Sequence, residues 1–597
     1  MDPWFSSTAR IGASWKENEV KEFENRLPVT NSPEGLSAPP ASKRVQGAQG
    51  SAFGLGHADT IDIGEHMSGA SGAIELRGHE QTGFPLKDRL SYLWLALGSG
   101  ILLFANGQHI VPIAAWIGTV FMLRFLRTQK ALIGLLVGYL ANALVFYFQW
   151  YSAFKDAGTM FTVYTAAFGL LVYLPYVADR LLRPRIHGFA GTLVLPTAWV
   201  VMEYLLHIVL PLGTFFNVGY TQSSNLPLLQ IASITGVWSI SFLVAWFAGI
   251  VNYTWEAGFD MRKAGRGAAV YALVLVGVLL FGGLRLAFFR PAGATVQVSV
   301  LTTNIDGEPL PDAETPGWQR LVDGTLEAEE RRAIELKMAS INDELLTRTR
   351  GQARAGSRIV TWSEFNAQTF SDEENRFLDQ ARQVAREEKI YLAFPLEVIE
   401  PDIAKRSRPE TFEINKSVMI TPDGDIAYQY LKHNLLIGPE AAYTQRGPRL
   451  INSIDSPYGK LSSVICLDME FPDFMRLAGK QGVDIMLSGA IDGTASSNGN
   501  PIHSEMASFR AIENGFSLAR AGIYGQSVAV DYQGRQWGAA NHYTAGDRTV
   551  VAHLPIRGTR TIYTALGDFF PWLCIAGFAA LIAVAVAGGF RTRKKTH

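Results

Sequence analysis

Eight stretches of this chain, at 89–106, 109–126, 131–151, 160–178, 188–210, 230–252, 267–288 and 569–590, are apolar and nearly free of charge. Runs of about twenty such residues match the hydrocarbon core of a bilayer, about 30 Å thick. The chain therefore reads as an integral membrane protein with about eight transmembrane helices, seven before a long polar segment and one after it. Basic residues sort the connections. Lys87 and Arg89 precede the first span, Arg124, Arg127 and Lys130 follow the second, and Arg180, Arg183 and Arg185 follow the fourth. Arg262, Lys263 and Arg266 follow the sixth, and Arg591, Arg593, Lys594 and Lys595 follow the eighth, whereas the alternate connections hold only Lys155. By the positive-inside rule both termini are expected on the cytoplasmic side and the segment between spans seven and eight outside.

Residues 1–86 are rich in Ser, Gly, Ala, Pro and charge without an apolar period, and are expected to form a disordered cytoplasmic tail. The opening Met1-Asp2-Pro3-Trp4 lacks the basic and apolar regions of a signal peptide, so the first span is expected to direct insertion. The expected organisation is this tail, a seven-helix bundle at 87–290, an extracytoplasmic domain at 291–562, and a final span with a basic cytoplasmic end at 563–597. Lys and Arg total 53 against 54 Asp and Glu, a balance that argues against a nucleic-acid partner.

The 291–562 segment reads as an α/β domain. Short β-branched runs recur at 296–304, 358–362, 390–394, 416–420, 461–466, 484–488 and 527–531, with polar amphipathic stretches of helical period at 327–348 and 373–389. Three of its strand-like runs end on an ionisable residue: Glu364 after RIVTW, Lys432 after IAYQY, and Cys466 after SSVI. Ligand sites in α/β sheets form at the carboxyl ends of strands. A carboxylate beside a thiol takes its proton, and an ammonium lowers the thiol pKa and stabilises an oxyanion. Glu440, on a Gly-Pro loop eight residues past Lys432, adds a second carboxylate to the cluster. The only other cysteine, Cys574, lies in the last apolar stretch, so neither a disulfide framework nor a cysteine-pair metal site is expected.

These residues carry a resemblance. Trp362-Ser363-Glu364, Tyr430-Leu431-Lys432-His433-Asn434 with Gly438-Pro439-Glu440, and Cys466-Leu467-Asp468 with Phe471-Pro472 resemble, in order, the Glu-Lys-Cys triad of the nitrilase (carbon-nitrogen hydrolase) superfamily. With seven spans before the triad and one after, the layout over about 88–590 resembles the apolipoprotein N-acyltransferases. Glu203 four residues after Trp199, the Gly219-Tyr220-Thr221-Gln222 loop, HSEMASFRAIENGFSLAR at 503–520 and TIYTALGDFFPW at 561–572 belong to the same likeness.

The resemblance implies a helical membrane bundle plus an αββα sandwich, with Glu364 as general base, Cys466 as nucleophile, Lys432 as oxyanion stabiliser and Glu440 in support. It implies a phospholipid acyl donor, a diacylglyceryl-lipoprotein acceptor, no cofactor or metal, and a bacterial inner membrane with the catalytic domain outside the cytoplasm. The same triad also serves a membrane-tethered amidase in which water resolves the acyl-enzyme. Two loops depart from the family pattern. Gly489-Ala490-Ile491-Asp492-Gly493 replaces an Asn-Asp-Ala-Trp-Phe run, and Leu436-Ile437-Gly438-Pro439-Glu440-Ala441 replaces Pro-Phe-Gly-Glu-Tyr. Outside the triad, Glu203 and His207 share a helix face at a spacing of four, either as a functional pair or as groups satisfied within the bundle. His433 and His503 lack metal-ligand spacing, and Trp362 and Phe365 suit either an acyl groove or the core.

Overall fold

The computed structural model describes residues 84–594, apart from 108, 155–157, 292, 312–314 and 494–500. The tail expected over 1–86 lies almost wholly outside the described residues. The apolar segments fold as helices: α1 (Ser91–Leu102), α2 (Pro112–Thr128), α3 (Ala131–Phe154), α4 (Gly158–Leu182), α5 (Val194–Val209), α6 (Trp238–Glu256) and α7 (Met261–Phe288). Leu132, Leu136, Leu140 and Leu144 form an exposed stripe at a spacing of four along α3, and Leu273 and Leu280 are exposed on α7. Apolar rows on the outside of a bundle suit a surface solvated by lipid.

Five described helical segments are long and apolar enough to cross a bilayer, or six when a bent pair is counted as one span. The first two apolar stretches fall short of that length because α1 has 12 residues and α2 has 17. The 230–252 stretch is not one straight helix. Leu226–Thr235 and Trp238–Glu256 meet at 119°, and Gly236 at the corner has a φ of 68°, a left-handed value that glycine adopts without a Cβ penalty. Basic residues read as topology signals also pack. Arg127 is buried between Asp179, at 2.7 Å, and Glu256, at 2.8 Å, tying together α2, α4 and the end of α6.

The polar segment folds as two facing sheets. In chain order the strands are β1 (Thr295–Leu301), β2 (Ile359–Trp362), β3 (Ala367–Phe370), β4 (Tyr391–Ile399), β5 (Glu413–Ile420), β6 (Ile426–Leu431), β7 (Ser453–Ser456), β8 (Gly459–Ile465), β9 (Ile485–Ile491), β10 (Ser517–Ile523), β11 (Gln526–Val530), β12 (Gln536–Asn541) and β13 (Thr549–Pro555). One sheet runs β13-β1-β2-β4-β5-β6 with β3 beside β4, and the other runs β12-β11-β10-β9-β8-β7. Strands β2, β5, β6, β8, β9 and β10 position the site. Val298, Val300, Ile359, Leu461, Ile485 and Ala519 fill the layer between the sheets. Helices α8 (Ala328–Arg354) and α9 (Glu374–Glu388) cover the first sheet through Ile341, Leu345 and Phe377. Helices α10 (Pro472–Gln481) and α11 (Ile502–Asn514) cover the second through Phe474, Met475 and Ala511. The result is the αββα layering expected from the resemblance, and α12 (Phe569–Lys594) returns the chain to the bundle.

Bundle and sandwich are joined by buried polar contacts. Glu513 of α11 accepts the Val237 N–H at 2.9 Å, Arg510 donates to the Tyr220 hydroxyl at 2.8 Å, and Gln533 donates to the Phe289 carbonyl at 2.7 Å at the end of α7. A buried guanidinium and carboxylate stay charged only when paired, so these groups fix how the two parts meet.

Candidate active site

Cys466 leaves β8 with a φ of 46°, a left-handed conformation that costs a non-glycine residue energy and turns its side chain out of the sheet. The Asp468 carboxylate holds the turn. It accepts the Ile465 N–H at 3.1 Å, the Tyr430 hydroxyl at 2.7 Å and the Asn434 N–H at 3.0 Å. Asp468 thus joins the cysteine turn to the loop that follows Lys432. Tyr430→Phe leaves part of that carboxylate and the His433 N–H unpaired. A stability loss of about 1–3 kcal/mol is expected, measured by thermal unfolding.

Glu364 is fully buried two residues past β2. Its Oε1 accepts from Lys432 Nζ at 2.8 Å and from Asn415 Nδ2 at 2.7 Å, and its Oε2 accepts the Ile491 N–H at 3.2 Å. The same Ile491 peptide carbonyl lies 3.5 Å from Cys466 Sγ and accepts its S–H. One residue at the end of β9 therefore touches both the acid and the thiol. Lys432 is buried and also bonds Glu440, whose second oxygen accepts the Leu436 N–H at 2.7 Å. The structure brings Glu364, Lys432 and Glu440 into direct contact and places Cys466 against them through Ile491.

Burial and charge oppose each other here. Burial pushes the Cys466 thiol well above its ordinary value and the Glu364 charge adds to this, while Lys432 pulls it down without prevailing. Burial works against the Lys432 ammonium, yet Glu364 and Glu440 hold its pKa well above the usual lysine value. Burial raises Glu364 above the carboxylate range, Lys432 opposes the rise and Glu440 adds to it. The resting site thus holds a thiol beside a charged lysine, and a nearby base must take the proton as the sulfur attacks.

Several contributors were not legible as site residues. Asn415 is a buried polar residue in a strand that reads EINKSVMI, where polar residues on both sides left no sequence signal to single it out. Glu413, two residues earlier, is buried, accepts from Thr444 Oγ1 at 2.8 Å, and has its pKa raised to about 8 by burial. At neutral pH it is protonated in the folded protein and ionised in the unfolded chain. Its raised pKa gives a stability contribution present below the unfolded value and lost as pH rises toward 8. Glu413→Gln, which has no proton to gain, is expected to stabilise the protein at pH 7 by up to about 3 kcal/mol, read as a higher Tm that converges with wild type toward pH 5.

Beyond this cluster, Glu470 pairs with His503 and Asp492 pairs with buried Arg520, so the altered 489–493 loop supplies a structural carboxylate. The Thr214 N–H from the bundle donates to the Glu470 carbonyl at 3.0 Å. Gly213 beside it has a φ of 57°, and a Cβ there would lie 2.5 Å from that carbonyl oxygen. Gly213→Ala is expected to cost about 1–3 kcal/mol and to loosen the turn, measured as a lower unfolding temperature together with slower acylation.

Glu203 and His207 do not pair with each other. Glu203 accepts from Trp199 Nε1 at 3.1 Å and from the Val218 N–H at 2.9 Å, while His207 Nε2 lies 3.5 Å from Asp473. Trp362 is core, stacked on Phe394 at 4.4 Å with its N–H on Thr349, and Phe365 is half-buried with a φ of 59°. His433 bonds the Gly447 carbonyl and stacks on Phe474. Among the described residues no group of three or more His, Cys, Asp or Glu is placed to hold a metal ion.

Residues 313–563 match the carbon-nitrogen hydrolase family, and residues 99–250 match the apolipoprotein N-acyltransferase N-terminal domain. The chain belongs to the apolipoprotein N-acyltransferase family. It is 25% identical over 450 residues to the apolipoprotein N-acyltransferase of Geobacter metallireducens, covering 72% of this chain and 80% of that one. The corresponding protein of Chlorobaculum tepidum is 23% identical over 542 residues, covering 82% and 96%. Among solved structures, an amidase from Nesterenkonia sp. is similar at 18% identity with a TM-score of 0.34, over 45% of this chain and 92% of that one. In keeping with this family, the sandwich that carries the cluster is fused to a bundle of apolar helices.

Proposed function

We propose that this membrane protein transfers a fatty acyl chain from a phospholipid, through a thioester on Cys466, to the N-terminal amine of a diacylglyceryl lipoprotein. The observation that carries the reading is the buried contact of Glu364 with Lys432 beside Cys466, on a domain standing on a lipid-facing bundle. In the first half-reaction Sγ attacks the ester carbonyl and its proton passes to Glu364. The oxyanion gains the Lys432 charge, and the lysophospholipid leaves with the proton from Glu364. In the second, the lipoprotein amine attacks the thioester carbonyl, the C–S bond breaks, a proton returns to sulfur and an amide results. Glu440 supports Lys432 throughout. The similarity to bacterial apolipoprotein N-acyltransferases favours a bacterial inner membrane, and the short basic loops favour the site on its outer face.

A membrane scaffold suits two lipid substrates. Extracting a chain into water costs about 0.8 kcal/mol per CH₂, so the ester is best met at the interface. The test is product analysis with phospholipid, with and without a lipoprotein amine. Lysophospholipid release matched by acylated amine is expected, and free fatty acid formed equally fast without the amine would overturn the transfer in favour of hydrolysis. The acylation rate should also rise with pH. Glu364 acts as its carboxylate, and its raised pKa moves the loss of activity on acidification to a pH above the ordinary carboxylate range. A profile flat down to the ordinary carboxylate range would contradict the role of Glu364.

A further inference from the structure

The loop between Lys432 and Glu440 carries two large apolar side chains that the fold leaves uncovered. Leu436 is 49% exposed and Ile437 is 55% exposed, whereas Leu435 beside them is buried. Adjacent exposed aliphatic groups in a loop at an active site contribute nothing to the core of the sandwich. They need another solvent.

Backbone hydrogen bonds tie this pair to the chemistry. The Leu436 N–H donates to Glu440 Oε2 at 2.7 Å, and the Leu436 carbonyl accepts the Ala441 N–H at 3.1 Å. The Ala442 N–H reaches the Gly438 carbonyl at 3.1 Å, closing the turn onto the short helix Pro439–Tyr443. Glu440 in turn bonds Lys432. A displacement of Leu436 is therefore passed directly to the carboxylate that flanks the catalytic amine.

The position of the loop identifies its solvent. Asn434 and Leu435 line a cavity of about 440 Å³ together with His207, Val209 and Leu210 at the end of α5. Ile208 and Val209 there are 57% and 72% exposed, at the mouth of a membrane-spanning helix. Leu436 and Ile437 follow directly on Leu435, so the exposed pair leaves the same cavity wall that the end of α5 forms. Arg446 lines the cavity and Arg449 pairs with Asp473 on its wall, basic groups of the kind that attract anionic headgroups.

We propose that Leu436 and Ile437 insert into the lipid leaflet at the mouth of α5, and that this insertion holds Glu440 on Lys432, so that the site is complete only on a membrane. The coupling rests on the acyl-transfer reading above; the insertion does not.

The test uses the full chain in nanodiscs of phosphatidylethanolamine and phosphatidylglycerol. A nitroxide attached in a Cys466→Ala, Cys574→Ala, Ile437→Cys protein is relaxed by oxygen and by a water-soluble nickel chelate. Oxygen should dominate at position 437, and the chelate should dominate at a Lys389→Cys control in the same background. In a protein that retains Cys466, Leu436→Asn with Ile437→Asn should slow its acylation by about tenfold or more, since small misplacements at a site are amplified in rate. Leu436→Met with Ile437→Leu should restore it. A label at 437 freely reached by the chelate, or an Asn pair acylated at the wild-type rate, would overturn the proposal. A label that turns oxygen-accessible only when a lipoprotein is added would overturn it in favour of an acceptor contact. Wild-type protein that takes no acyl chain while 437 lies in lipid would overturn the transfer reading, and the coupling with it, but leave the insertion standing.

Discussion

Glu364→Gln is expected to slow acylation of Cys466 by about 10²- to 10⁴-fold, the span associated with losing a positioned general base. The amide keeps the size of the carboxylate and still presents an oxygen to Asn415 and Lys432, although its NH2 no longer accepts the Ile491 N–H. What it removes is the capacity to take the thiol proton. That capacity matters here because burial and the neighbouring charge hold the Cys466 pKa well above its ordinary value, so no preformed thiolate waits in the site. The measurement is the rate at which an acyl mass appears on the peptide containing Cys466 in phospholipid nanodiscs. A rate within about tenfold of wild type would show that another group carries the proton.

Lys432→Met should be more severe, because it damages stability and chemistry together. The side chain is buried against two carboxylates, Glu364 at 2.8 Å and Glu440, and its removal leaves both without their cation. Breaking a buried pair from one side costs about 3–5 kcal/mol, and Glu364 relieves part of that by taking up a proton. A protonated Glu364 is no longer a base. The oxyanion also loses its stabilising charge, a loss of about 10²–10³ in rate by itself, so the acylation rate should fall by more than about 10³-fold. Adding Glu440→Gln to Lys432→Met removes one of the stranded charges. Unfolding temperature should then recover in part while the acylation rate does not. A double variant recovering both would reduce Lys432 to a structural counter-ion.

How much of this was legible in the sequence depends on the range of the interaction. The strand ends that deliver Glu364, Lys432 and Cys466 are local patterns, a β-branched run followed by one polar residue. The runs before them, RIVTW at 358–362, IAYQY at 426–430 and the one at 461–466, coincide with β2, β6 and β8 to within a few residues. The groups that assemble the site are not local. Ile491 acts through its backbone N–H and carbonyl, which no side-chain pattern announces. Asn415 and Glu413 stand in the polar first half of their strand, and their partners lie 51 and 31 residues away. Strand β10 escaped because Arg520 breaks its apolar run, and the ion pair with Asp492, with bonds to Ser504 Oγ and the Gln526 carbonyl, makes a guanidinium acceptable in a central strand. In the bundle, hydropathy located the apolar stretches but not their geometry, since the bend at Gly236 and the short α1 depend on packing against other elements. Glu203 and His207, neighbours on one helix face, turn out to serve a loop of the bundle and a helix of the sandwich instead.

The proposed chemistry passes through one covalent event on one sulfur atom. Purified protein incubated with phospholipid and digested is expected to carry a fatty-acyl mass on the peptide containing Cys466, released by hydroxylamine, transferred on addition of a lipoprotein amine, and missing from Glu364→Gln within the same reaction time. An acyl-free Cys466 peptide recovered from wild-type protein that nonetheless acylates lipoprotein would contradict it.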